Sequence, residues 1–371
     1  MKSLFVYLEH DLEAEVPGGI QLCSRQFLEI VEAASSSTSR IAVSISRNWV
    51  WRVRRRLRLG SYLLYDPRRC AAGLADALRE SQPTHVFLNK AELLRLTPVV
   101  KRLRPQATVV LMSHGNQSGD DLYEISGSRG RRNCGLGRLS GIWQLGLDLA
   151  TESFFRHRSI DAVCVMSPEE EALERWLGAK RTVFLPRFIR PEFLEWKPIP
   201  GRVGYVGTLD HTPNQVAVEE VCEEISRRGP AGLELRLVGR PERVGHQLSA
   251  RYPFIHYMGG LNDGALKSEA STWSLFLTPV FWLARGASMK LGRALAWGLP
   301  VLSTRAGARG YDLSPGALPL VADDPSEFVA TIGQILRQPG EPSRLREEGR
   351  RVALGSGDVQ ALAKQLKAKL S

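Results

Sequence analysis

The chain has 371 residues, 43% hydrophobic and 24% charged, a length and balance that suit two globular α/β domains better than one. No run of about 18 apolar residues occurs, which excludes a predicted membrane-spanning helix. Five scattered cysteines (Cys23, Cys70, Cys134, Cys164, Cys222) without CxxC spacing argue against a disulfide framework or a zinc site and suit a reducing cytosol. The formal charge of +11 implies attraction to something acidic: phosphate groups, an anionic membrane surface or nucleic acid.

The N-terminal stretch MKSLFVYLEHDLEAE has a short apolar run followed by acids and no small-residue cleavage site, and reads as a first β-strand, not a signal peptide. Strand-like apolar runs then alternate with helix-like periodic ones. Candidate strands are Leu4–Leu8, Ile41–Ile45, His85–Leu88, Thr108–Met112, Ala162–Met166 and Thr182–Leu185, with SSSTS at 35–39 read as a short loop. Candidate helices between them include Gln21–Ala34, Arg69–Glu80 and Glu169–Leu177. The sharpest punctuation is WKPIPGR at 196–202, where two prolines and a glycine precede a fresh strand. This places a domain boundary there, giving domains 1–197 and 198–371. Strands continue at Val203–Val206, Leu233–Val238, Leu275–Thr278, Pro300–Ser303 and Leu318–Val321, with a helix at Val216–Arg227. Alternating strands and helices predict two parallel sheets covered on both faces, two Rossmann-like doubly wound domains facing a central cleft. Ligands in such sheets bind beyond the carboxyl ends of the strands.

Residues 47–69 hold eight arginines and one aspartate, interleaved with Trp49, Trp51, Tyr62 and Tyr65. Trp49, Trp51, Arg54, Arg55 and Arg56 fit the headgroup region of an anionic membrane, and fit equally a solvated basic helix with core aromatics. RGRRNCGLGR at 129–138 adds four arginines on what reads as a Gly-rich loop.

The stretch from Trp273 to Thr304 reads as a buried strand, a Gly-containing loop, a helix opening near Lys290 and a second buried strand. A loop leading into a helix N-terminus is a place to bind an anion, because free N–H groups and the helix dipole point at it; Arg285 and Lys290 add two cations.

Several segments resemble, in order, the family-four glycosyltransferases of GT-B fold. Gly18-Gly19 follow the first strand and open a helix, as in the family's Gly-Gly loop, and fit equally a turn that merely starts a helix. VVLMSHGN places His114-Gly115 at a strand end. DAVCVMSPEE and VFLPRFIRPEF follow, the latter with Arg187 and Phe188 in place of the family's Asn-Gly. In the second half VGYVGTLDHTPN, LRLVGRPE, YMGGLND, Pro279, Lys290 and the run through GLPVLSTRAG keep the family's register, and ADDPSEF opens a further helix. The family carries two glutamates with seven residues between them; here those positions are Arg285 and Arg293, and arginine cannot accept a hydrogen bond from a ribose hydroxyl.

The resemblance implies a GT-B fold and a glycosyltransferase that takes its sugar from a nucleotide-diphosphate-sugar donor, with retention and without an obligatory metal or other cofactor. It implies a catalytic set of His114, Arg285 and Lys290, in which cations and helix N-termini hold the leaving diphosphate. The implied donor-binding set is Gly18, Gly19, Gly207, Thr208, Arg240, Gly259, Pro279, Gly286 and Arg293. Asn214 fits a helix cap as well as a ligand contact. Asp120, Asp121 and Glu124, on the loop expected after His114, are weak candidates for a base. The acceptor is expected to be a glycan or a lipid-linked precursor, and the location cytoplasmic, at the inner face of the plasma membrane. A GT-B-shaped binding module without turnover is the competing reading. Neither nucleic-acid motifs nor an epimerase or phosphorylase signature is found.

Overall fold

A computed structural model describes residues 1–13, 18–127, 134–282, 286–311, 313, 316, 318–321 and 323–371. The chain divides into two compact units, Met1–Arg187 with Gly357–Ser371, and a second made mainly of Phe188–Ser356; Gly286 and Ala287 group with the first. The expected boundary at 197/198 therefore moves to 187/188. The C-terminal segment also does not stay in the second domain, because the last helix packs against the first unit.

The first unit runs β1 (Lys2–Leu8), α1 (Gly19–Ala34), β2 (Ser37–Val43), α2 (Trp49–Arg56), α3 (Pro67–Ser81), β3 (His85–Asn89), α4 (Thr97–Leu103), β4 (Thr108–Met112), α5 (Gln117–Ser126), α6 (Gly135–Arg158), β5 (Ala162–Val165), α7 (Pro168–Trp176) and β6 (Thr182–Phe184). Its six strands are parallel, in the order β2-β1-β3-β4-β5-β6. Helix α1 forms because Cys23, Phe27, Ile30, Val31 and Ala34 recur at helical spacing and are buried. Asp66 and Ser167 cap α3 and α7 with side-chain oxygens, each with proline at the start of the helix. Burial of a side chain such as Phe27, which has no exposed surface, contributes about 2–3 kcal/mol.

The second unit runs β7 (Ile199–Val206), α8 (Thr212–Arg228), β8 (Glu234–Val238), α9 (Glu242–Arg251), β9 (Ile255–Tyr257), α10 (Asp263–Ala270), β10 (Trp273–Thr278), α11 (Met289–Ala296), β11 (Val301–Thr304), β12 (Leu320–Val321), α12 (Pro325–Arg337) and α13 (Glu341–Gly355). The parallel order β12-β11-β10-β7-β8-β9 puts the switch of strand order between β7 and β10, the doubly wound arrangement of a dinucleotide-binding domain. Leu275 and Leu277 pack with residues of α8 and α12, and Phe276 packs with residues of α11, so alternate residues of β10 feed two separate cores. The final helix, α14 (Val359–Leu370), belongs to the first unit, where the Gln365 amide donates to the Phe184 carbonyl at 2.8 Å.

Three local expectations change, and strand β9 is added to those read from the sequence. Residues 37–39 of the expected loop are already strand, paired with β1. Strand β9, three residues long, was too short to show a period. Asp120, Asp121 and Glu124 lie on α5, not on a loop. Of the supposed Gly-rich loop, Gly135–Arg138 form the first turn of the 24-residue α6, and 128–133 lie outside the described residues. Among the described residues, no helix is long and apolar enough to cross a membrane.

Candidate functional site

In the second unit the switch point is built from the loops after β7, β8 and β9 and the start of α11. Gly207 ends β7, and its N–H is used within the sheet, donating to Val238 at 3.0 Å. What Gly207 contributes is space: a Cβ there would come 3.1 Å from Lys290 Cε and from the Tyr205 hydroxyl. Gly239 admits the same close approach, since a Cβ would meet the Gly207 carbonyl at 1.8 Å and its φ is +154°. Thr208 is exposed, and its carbonyl accepts from the Asn214 amide at 2.9 Å.

Lys290, in the first turn of α11, donates to Tyr205 Oη at 2.8 Å and to Asn214 Oδ1 at 2.5 Å, with Nζ 4.7 Å from the centre of the Tyr205 ring. Asn214 does not cap α8, whose N-cap is His211, and it positions Lys290. Both partners are neutral, and burial lowers the Lys290 amine to about 7. An anion placed beside it would restore the charge. Ser288 caps α11 through the Leu291 N–H at 3.4 Å, and the Tyr311 hydroxyl fixes the cap by donating to the Ser288 carbonyl at 2.9 Å. The arrangement can hold a phosphate against a cation and a helix N-terminus.

The other expected donor residues distribute around this centre. Arg240 is exposed and lies over Gly260, where a Cβ would meet its Nε at 2.4 Å; Gly259 has φ +74° with open space beside it. Pro279 follows β10 and is buried. Arg293, one turn beyond Lys290, rests on Trp297 just after the helix, 5.5 Å from the ring centre, and burial lowers its pKa, with Asp263 acting against the shift. Arg285 lies outside the described residues.

In the first unit, Gly18 precedes α1, where its N–H donates to the Gln21 side chain at 3.0 Å, and Gly19 is the first helical residue. His114 follows β4 and meets Asn89, which ends β3, at 2.9 Å through Nε2. The Asn89 amide nitrogen donates to Asp11 and Ser24, so its oxygen accepts and His114 carries its proton at Nε2. The His114 ring stands edge-on to Phe27, with centres 5.3 Å apart. Lys90, next after Asn89, adopts φ +94°, a strained backbone for a lysine, and reaches the fully buried Asp11 at 3.1 Å. Burial pushes the Asp11 carboxyl up, against the pull of Lys90.

Gly286 has φ +75° and approaches the His114 carbonyl too closely for a larger residue, since a Cβ would lie 3.0 Å from it. The Gly286 N–H donates to Glu170 at 2.7 Å. Sequence reasoning did not single out Tyr205, Asn89, Lys90, Asp11 or Cys23 as site residues. A polar residue closing a buried strand (Asn89-Lys90 after VFL) was the one signal that could have found them.

The surface candidates separate. Trp49 is 68% exposed on α2 and Arg54 lies over the half-buried Trp51 ring at 5.0 Å. Arg54 and Arg56 are exposed. Arg55 is not part of a free patch: it donates to the carbonyls of Leu63, Leu64 and Ser46. Tyr65 is buried in the core. Arg58 connects this region to α6 through Ser140 at 3.3 Å, where Leu136, Leu139, Ile142 and Trp143 are exposed.

The two sheets and their connections define the GT-B class. Sucrose-phosphate synthase from Thermosynechococcus elongatus is similar over 99% of this chain and 98% of its own, with a TM-score of 0.69 and 18% identity. An alpha,alpha-trehalose-phosphate synthase (UDP-forming) from Burkholderia xenovorans, in complex with glucose-6-phosphate, is similar over the whole of both chains with a TM-score of 0.67 and 11% identity.

Residues 200–338 match the model of the family described as glycosyl transferases group 1. A stretch of 114 residues is 30% identical to the MMP alpha-(1->4)-mannosyltransferase of Mycolicibacterium hassiacum, covering 30% of this chain and 27% of that relative.

Proposed function

We propose that this chain is a glycosyltransferase that moves a sugar from a nucleotide-diphosphate-sugar to a glycan or lipid-linked acceptor. The observation that carries the reading is Lys290, held at a helix N-terminus by Tyr205 and Asn214 beside the side-chain-free Gly207 at the switch point of the second sheet. Charge develops on the leaving diphosphate as the glycosidic bond breaks. A lysine poised near neutrality gains a proton and a partner as that charge appears, and the first N–H groups of α11 add their dipole. The resemblance to family-four glycosyltransferases supports retention without an obligatory metal, with the cation and the helix N-terminus in the electrostatic role.

The acceptor side works at an anionic membrane surface, at the cytoplasmic face. Support comes from the exposed Trp49, Leu57 and Leu59 beside Arg52, Arg54 and Arg56, and from the exposed Leu136, Leu139 and Trp143 of α6. Aromatic and apolar side chains interleaved with arginines suit the headgroup layer.

The test is calorimetric binding of UDP, GDP, ADP, CDP and TDP to the wild-type chain and to Lys290→Ala. Micromolar binding of one nucleotide, lost in the variant, supports a donor site and names the base. Binding of none, or equal binding to both proteins, rejects the assignment of Lys290.

A further inference from the structure

We propose that Arg187 forms an anion-binding subsite in the first unit, for a carboxylate or phosphate group carried on a sugar. Arg187 follows β6 and is only 4% exposed. Its Nη1 reaches two sulfurs, Cys23 Sγ at 3.3 Å and Met166 Sδ at 3.9 Å, both weak acceptors. Its Nε and Nη2 are buried with no hydrogen-bond partner. Those two donors share one edge of the guanidinium, the edge that meets a carboxylate or phosphate with two parallel bonds.

Among the described residues, no carboxylate bonds to the Arg187 guanidinium. Burial pushes the Cys23 thiol up to about 11, so the sulfur stays neutral. Glu170 takes the N–H groups of Gly286 and Met166, and Asp11 pairs with Lys90.

The same unit shows what a purely structural buried arginine looks like. Arg156 has no exposed surface, and its Nε, Nη1 and Nη2 all donate, to the Glu174 carboxylate, the Glu152 carbonyl and Asn116. A buried guanidinium is tolerated when it is paired in this way. Arg187 keeps its fork open instead, and it does so at a place suited to a sugar. Its guanidinium lies 5.5 Å from the centre of the Phe27 ring, whose edge also meets His114. His114, Met166 and Arg187 come just after β4, β5 and β6, the ends of a parallel sheet where ligands bind. Aromatic, sulfur and imidazole groups around one bidentate cation match a sugar ring with a single anionic substituent.

That this anionic sugar is a substrate rests on the glycosyltransferase reading; that it binds does not. The test is calorimetry of the full-length chain with glucose 6-phosphate, glucuronic acid and glucose, on wild type, Arg187→Gln and Arg187→Lys, with the nucleoside diphosphates as a separate arm. One or both anionic sugars bind the wild type at least tenfold more tightly than glucose, and the better of the two identifies the group. Arg187→Gln removes that preference while Arg187→Lys, which keeps the charge but not the fork, retains part of it. Arg187→Gln melts no lower than wild type, because an unpaired buried cation has been removed.

No preference for either anionic sugar in the wild type, or the same preference in Arg187→Gln, overturns the proposal. A fall in melting temperature in Arg187→Gln also overturns it, because the arginine is then structural. Nucleotide binding lost while the anionic preference survives rejects the donor assignment alone.

Discussion

Arg156 of α6 and Glu174 of α7 form an ion pair with no exposure on either side chain, and the pair grips both shoulders of the His114-Gly115 turn. Ser113 donates to Glu174 at 3.1 Å, and Asn116 both donates to Glu174 and accepts from Arg156. His114 is presented at the end of β4 because the residues on either side of it are fixed from below. Glu174→Gln leaves a buried guanidinium without its counter-charge, which costs about 3–5 kcal/mol, read as a lower midpoint in urea. The double variant Arg156→Met/Glu174→Leu removes both charges and loses less than Glu174→Gln alone. If the double variant is the weaker of the two, the pair is a net source of stability and the argument fails.

Lys290 predicts a pH dependence of binding. The burial that lowers its amine to about 7 means that the free site loses its cation as pH rises through 7, while a bound diphosphate holds the proton on. Nucleoside diphosphate affinity therefore falls above pH 7, and calorimetry in buffers of different ionisation enthalpy reads proton uptake. In stability the sign is the reverse. Between about 7 and the unfolded value of 10.5 the unfolded chain binds more protons, so this residue adds stability as pH rises through that window. Asn214→Ala removes one of the two anchors of the amine and weakens nucleotide binding on the order of tenfold. A pH-independent affinity would contradict the reading.

Asp148 gives a second titration in the first unit. It is buried on α6 and bonds to Asp121 and Gln144, and burial together with Asp121 pushes it up to about 7. A raised carboxyl favours the folded state at low pH, so its contribution is complete below pH 3.8 and is lost as pH rises to about 7. Asp148→Asn makes the loss disappear. The variant melts higher than wild type at pH 8, by roughly 2–4 °C for each kcal/mol recovered, and the two converge near pH 4. Thermal scans across pH 4–8 decide it.

The arginine-rich face of the first unit is tested by replacing its exposed apolar anchors. Trp49 and Trp143 are 68% and 65% exposed, so Trp49→Ser/Trp143→Ser leaves the core intact. Co-sedimentation with anionic liposomes falls by about tenfold or more, since each buried aromatic contributes on the order of 1 kcal/mol or more at an interface. Nucleotide binding is unchanged. Liposome binding equal to wild type removes the membrane surface from the proposed function.

Gly204 illustrates a demand invisible in the sequence. It sits in β7 beside β10, and a Cβ there would lie 1.9 Å from the Trp273 ring. Gly204→Ala destabilises the second unit by about 1–3 kcal/mol through overpacking, measured as a lower urea midpoint; a neutral effect would mean that Trp273 has room to move.

The periodic parts of this protein follow from its local sequence. Buried runs such as Thr108–Met112 and capped helices such as α3 and α7 were legible, because apolar spacing and cap residues act over a few positions. The helix opening near Lys290 was legible from the pattern of strand, loop and helix, and the glycines of the second half through their resemblance to a family. What the tertiary structure decided depends on contacts far apart in the chain. Asn214 stands 76 residues from the lysine it holds, and Glu170 takes the amide of Gly286 from 116 residues away. The last helix crosses back to the first unit because its apolar face finds its partners there. Nothing in the sequence says that Arg156 is paired with a carboxylate and Arg187 is not, since the position of a carboxylate is set by packing and not by spacing.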